Sequence, residues 1–118
     1  MSRYVVMFPA DSEPEWEAEN EAERQVTFDT DFEFGQLLER RGGAVTGGAG
    51  LTHSDQARTL KRGPNATALV TDGPYTESAE QLSGFYLVTC DDYDALVECA
   101  QILTQVHPVV EIRPVQEY

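Results

Sequence analysis

Hydrophobic spacing marks out two helices and a set of strands before any single residue is weighed. From Thr27 to Arg41, Phe34, Leu37 and Leu38 share one face, with Thr30 and Arg41 continuing the row, which predicts a helix. Arg40 and Arg41 suit the negative end of its dipole, and Gly42-Gly43 stops it. Its start is free to lie several residues earlier. A second helix is predicted from an Asp91 or Asp92 cap to Thr104, because Leu96, Cys99, Ala100 and Leu103 fall at i, i+3, i+4 and i+7. Between and around the helices the pattern is extended. Tyr4–Phe8 reads as a first strand, and Ala44–Leu51 as a strand weakened by Gly47, Gly48 and Gly50. Arg58–Arg62 and Ala66–Thr71 form a hairpin pattern around Gly63-Pro64-Asn65. Ser83–Cys90 is apolar on both faces, with Phe85 and Leu87 on one and Tyr86, Val88 and Cys90 on the other. A central strand covered on two sides is expected there. Val109–Arg113 is the last strand, with Val110 and Ile112 facing one way and Glu111 and Arg113 the other.

This order predicts one α+β domain over residues 1–118, with helices packed on one face of a mostly antiparallel sheet. A ferredoxin-like sandwich satisfies it best. Asp11–Glu23 fits no element. Glu occupies every odd position from 13 to 23 and Trp16 is its one large apolar residue, so charge would circle a helix and leave no buried face. A solvated loop or a weakly anchored helix start is expected there.

Charge narrows the partners. The formal net charge of −13 repels nucleic acid and anionic lipid, so neither is expected as a partner. No apolar run approaches the roughly 20 residues of a membrane helix, and Met1–Pro9 is too short for a signal-peptide core; cytoplasm is the expectation. Cys90 and Cys99 read as small buried apolar residues. His53 and His107 stand 54 positions apart with no Cys pair, so no metal or cofactor is expected. The glycines at 47, 48 and 50 lack the Lys-Ser/Thr of a phosphate loop, and there is no Gly-x-Ser-x-Gly elbow.

The most telling stretch is Asp72 to Val88. A strand ends at Thr71, Asp72-Gly73-Pro74-Tyr75 breaks the chain direction, and Gly84 opens the next strand. The stretch resembles the signature of the YCII-related family, in its DGPF subgroup. Gly50-Leu51, Thr59-Leu60-Lys61, Gln81–Tyr86 and Glu111–Val115 extend the resemblance over nearly the whole chain. It implies a ferredoxin-like domain that dimerises through its sheet into an α/β-barrel-like assembly, with a small-molecule pocket near the junction. Some such relatives are encoded beside sigma factors of the extracytoplasmic type, which implies a regulatory setting and a sigma factor as a partner. Three positions depart from the pattern. Tyr75 replaces a usual Phe, and Ala79 stands where many members carry Lys. Asp31 aligns with a His that forms an acid/base dyad with an Asp in other relatives, so that dyad does not carry over.

With the resemblance in view, Asp72 is the first candidate for chemistry, as a pocket carboxylate that takes a proton or holds a substrate group; otherwise it is a turn former. Arg113, Glu77, Tyr75 and Tyr4 are the candidate ligand-binding residues, against structural readings as an ion pair, a cap, a packed aromatic and core. Asp72 and Arg113 are expected to share one pocket. Among the histidines, His53 beside Asp55 is the better catalytic candidate, and His107 before Pro108 reads as a connection residue. The expected protein is a ligand-binding homodimer of unassigned activity; the alternative is a small metal-independent enzyme doing lyase- or hydrolase-like acid/base chemistry.

Overall fold

The computed structural model of the chain describes residues 1–75 and 80–118, with Glu80 and Gln81 described by backbone alone. In chain order the elements are β1 (Ser2–Met7), β2 (Asp11–Ser12), α1 (Glu13–Ala18), α2 (Glu21–Arg40), β3 (Ala44–Gly50), β4 (Arg58–Arg62), β5 (Ala68–Asp72), β6 (Glu80–Gln81), β7 (Gly84–Cys90), α3 (Tyr93–Ala100) and β8 (Glu111–Pro114). The main sheet has the order β3-β7-β1-β8, and each of its pairings is antiparallel. It is an open sheet and not a closed barrel. Two small ribbons, β2-β6 and β4-β5, lie outside it.

Alternation along β1 and β7 decides which face holds the core. Tyr4, Val6, Phe8, Val88 and Cys90 point to the helices and bury against Phe34, Leu38, Leu96, Cys99, Ala100 and Leu103. Phe34, Leu38, Leu96 and Leu103 are fully buried, each stabilising the fold by about 1.5–3 kcal/mol. Asp92 caps α3 through the Ala95 N–H, and a 3-10 turn over Gln101–Gln105 completes the predicted helix. Register places Val5, Met7, Phe85 and Leu87 on the opposite face, where Leu87 is exposed. Val5, Met7 and Phe85 are half-buried there, so the cover expected on the second side of this strand is partial. Tyr86 turns inward instead, where it packs against the core.

β3 is held tightly to β7 despite its glycines. The register shifts between Val45 and Gly47, and Gly48 then adopts φ +136°. A Cβ at Gly48 would run into Phe85 O and Tyr86 Cα, so only glycine permits the approach at Tyr86.

The acidic segment is more ordered than its pattern predicts. Ser12 caps α1 by accepting from the Glu15 N–H. Asn20 accepts from the Glu23 N–H while the Glu23 side chain accepts from the Asn20 N–H, a complete capping box that starts α2 six residues before Thr27. Acidic side chains in the first turns of both helices suit the positive dipole ends. Capping and dipole, not a buried face, organise this stretch.

Candidate functional site

Three elements deliver polar groups to one buried place. The chain leaves β1 through Phe8, whose N–H and C=O pair with Gly84 and Ser83, and then turns at Pro9-Ala10 into Asp11. Asp31 lies on the stripe of α2 that carries Thr30 and Phe34 inward. His107 follows the 3-10 turn after α3, and its backbone N–H donates to Leu103 O. Its ring is buried, with a side chain 6% exposed, and lies between the two carboxylates. Nδ1 is 2.9 Å from Asp11 Oδ2, and Nε2 is 3.0 Å from Asp31 Oδ1.

The outer ends of this chain of bonds are hydroxyls. Ser83 Oγ donates to Asp11 Oδ2 at 2.5 Å, and the Tyr86 hydroxyl donates to Asp31 Oδ2 at 2.6 Å. Phe8 stacks on the imidazole with ring centroids 3.7 Å apart and planes 9° apart, and its edge meets Tyr86. A neutral imidazole has one N–H and would leave one carboxylate facing a lone pair; the imidazolium has two donors for two acceptors. Burial by itself pulls the His107 pKa down, but the hydrogen bonds and charges of Asp11 and Asp31 outweigh it and raise the pKa to about 9. Burial first, and the bond to Asp31 second, push the Tyr86 phenol above its ordinary range, so it remains a donor. His107 is therefore a charged tie between two carboxylates, with both N–H groups committed.

A cavity of about 530 Å³ opens beside this tie. Asp11, Asp31, Tyr86 and His107 line it, together with Trp16 and Glu19 from the acidic segment, Phe28 from α2, and His53. Trp16 meets Phe28 edge to face at 5.7 Å, and the Arg24 guanidinium lies 5.1 Å over the indole while donating to Trp16 O. His53 sits toward solvent, 3.1 Å from Glu13 and 3.4 Å from Glu17, and caps the turn at Ser54. Two buried carboxylate oxygens in the cavity wall, Asp11 Oδ1 and Glu19 Oε2, have no hydrogen-bond donor among the described residues. Among those residues no three His, Cys, Asp or Glu side chains converge to hold a metal ion.

Of the residues singled out from the sequence, Tyr4, Asp72, Tyr75 and Arg113 do not line this cavity. Asp72 ends β5, which pairs with β4 and not with the main sheet, so it does not stand at that sheet's end. Its side chain is 94% exposed and lies 3.9 Å from Arg58. Arg113 is exposed on β8, at the sheet edge, opposite Val5. Tyr75 is exposed, with the Lys61 ammonium 5.2 Å over its ring. Tyr4 is buried in the core against Tyr93. Glu77 lies outside the described residues. His107 is no mere connection residue. One local signal marked Asp31, a carboxylate on an otherwise core-facing stripe; nothing local marks Asp11 or His107, which meet across 96 positions.

Comparison with known proteins gives a family and little chemistry. The family model described as YCII-related domain matches residues 4–118. An uncharacterised protein of Rhizobium meliloti (strain 1021) is 37% identical over 73 residues, covering 59% of this chain and 58% of that relative.

Proposed function

The chain belongs to the YCII-related domain family, and from that premise we propose that it is a homodimeric small-molecule-binding domain whose ligand sits in the cavity over His107. The observation that carries this reading is the buried Asp11–His107–Asp31 tie in the wall of a 530 Å³ cavity. Burying a cation and two carboxylates carries a desolvation cost that their mutual hydrogen bonds offset, and the arrangement fixes both carboxylates at the edge of a ligand-sized space. The strand order β3-β7-β1-β8 supports a ferredoxin-like sandwich, and Asp72-Gly73-Pro74-Tyr75 supports the DGPF subgroup. The open apolar face of Val5, Met7, Phe85 and Leu87 supports pairing with a second copy.

Binding is favoured over catalysis by His107. A general acid or base needs a proton it can exchange with the ligand, and both N–H groups of this imidazolium already serve carboxylates. Asp11 Oδ1, without a donor among the described residues, supports one acid/base alternative, in which that oxygen takes a proton from a bound ligand and His107 stays charged.

A fragment screen read by the indole resonance of Trp16 tests the location. Trp16 is the one Trp of the chain and lines the cavity. Gly50 also lines it, and a Cβ there would meet nothing within 4 Å, so Gly50→Phe can plug the space without backbone strain. Fragments are expected to shift Trp16 in the wild type and in Asp72→Asn, and to lose that effect in Gly50→Phe. Shifts that persist in Gly50→Phe and vanish in Asp72→Asn would move the site to the β4-β5 ribbon. A screen without any Trp16 shift would remove the cavity as a binding site.

A further inference from the structure

We propose that the cavity selects a small molecule with a protonated amine and an apolar body. This inference rests on the reading of the cavity as a ligand site and adds the chemistry of the ligand.

Acceptors outnumber donors in the cavity wall. Asp11 Oδ2 receives both the Ser83 hydroxyl and His107 Nδ1, while Oδ1 of the same carboxylate is buried and receives nothing from the described residues. Glu19 Oε2 is in the same condition, at the C-cap of α1. A buried carboxylate oxygen left without a donor costs about 1–3 kcal/mol or more, so each of these positions favours a donor from beyond the described residues. An anion would add a further acceptor to both. A neutral hydroxyl would satisfy one oxygen without meeting its charge. An ammonium supplies up to three donors and the opposite charge.

Among the described residues, the chain's own donors do not reach these two oxygens. His107 spends both ring N–H groups on Asp11 Oδ2 and Asp31 Oδ1. Arg24 also lines the cavity, but its Nε and Nη2 donate to Trp16 O and Glu17 O and not to these two oxygens. Even with His107 charged, Asp11 and Asp31 together leave one negative charge on this tie. The remaining wall supplies the apolar half of the ligand. Trp16, Phe28 and Tyr86 present aromatic surface, and an indole or phenyl face also attracts a cation. Arg24 over Trp16 already makes that contact within the protein.

Three probes of like size separate the possibilities: 2-phenylethylamine, 2-phenylethanol and phenylacetate, each titrated against the full chain and followed by the Trp16 indole resonance. At about 0.15 M salt the screening length is about 8 Å, so distant surface charge contributes little. The amine is expected to bind at least about tenfold more tightly than either other probe, with a dissociation constant below about 10 mM for a fragment of this size. Glu19→Gln and Asp11→Asn should each cut that preference about fivefold, whereas Glu111→Gln, which removes one charge from exposed β8, should leave it intact. Melting curves confirm that each variant folds; if Asp11→Asn does not, Glu19→Gln alone decides. Equal or tighter binding of the alcohol or of phenylacetate overturns the amine preference and leaves the cavity as a ligand site. An equal loss in Glu111→Gln overturns it too, by assigning the attraction to net charge. No Trp16 shift with any probe overturns it outright, and the wider fragment screen then decides whether the cavity binds ligands at all.

Discussion

His107 holds more of this structure than its place in the sequence announces. Its proton is bound more tightly in the folded chain than in the unfolded one, since its pKa rises from 6.5 to about 9. The stabilisation is therefore fully present below about pH 6.5 and is lost as the pH rises through about 9, amounting to on the order of 3 kcal/mol. Comparing wild type with His107→Gln by urea denaturation from pH 6 to pH 10 isolates it. The stability gap between the two proteins should narrow across that range, and a gap independent of pH would deny the proton its role. The same residue shows why the site was poorly legible in the sequence. Asp11 and Asp31 meet His107 across 96 and 76 positions, so no local spacing links them. Asp72-Gly73-Pro74-Tyr75 is a conspicuous local pattern, yet it leads to an exposed ribbon.

Elements shaped by periodic burial were legible, and those shaped by end effects were not. Leu96, Cys99, Ala100 and Leu103 bury as their spacing predicts, because a helix that packs on a sheet must show a stripe. The central place of β7 likewise follows from apolar residues on both of its faces. α1 and the first turns of α2 bury no residue before Thr30, so the stripe rule is silent there. Their signal lies in single capping residues, Ser12 and Asn20, set among glutamates that mask them. Asn20→Ala removes the capping box and is expected to cost about 1 kcal/mol. Because α1 carries Trp16 and Glu19 into the cavity wall, the same change should also loosen ligand binding, measured as weaker fragment affinity at a temperature where the domain stays folded. Unchanged affinity would mean that α1 holds its place without the α2 cap.

At the scale of the whole molecule, the open face of the sheet sets the expected assembly. Val5, Met7, Phe85 and Leu87 form an apolar strip on the face turned away from the core, with Leu87 exposed and the other three half-buried. Light scattering should give twice the 13.1 kDa of one chain, and Leu87→Asp should return it to the single-chain mass. A wild-type mass of one chain at micromolar concentration would count against the dimer. The method matters, because one chain is far from round. It measures 51 × 43 × 18 Å, and its radius of gyration is 16.5 Å where a compact domain of this length would show about 13.5 Å. The β4-β5 ribbon, every residue of which but Thr59 is exposed, accounts for part of that spread. A plate of these proportions drags more solvent than a sphere of equal mass, so a single chain should leave a sizing column early. Against globular standards, that early peak would imitate the dimer.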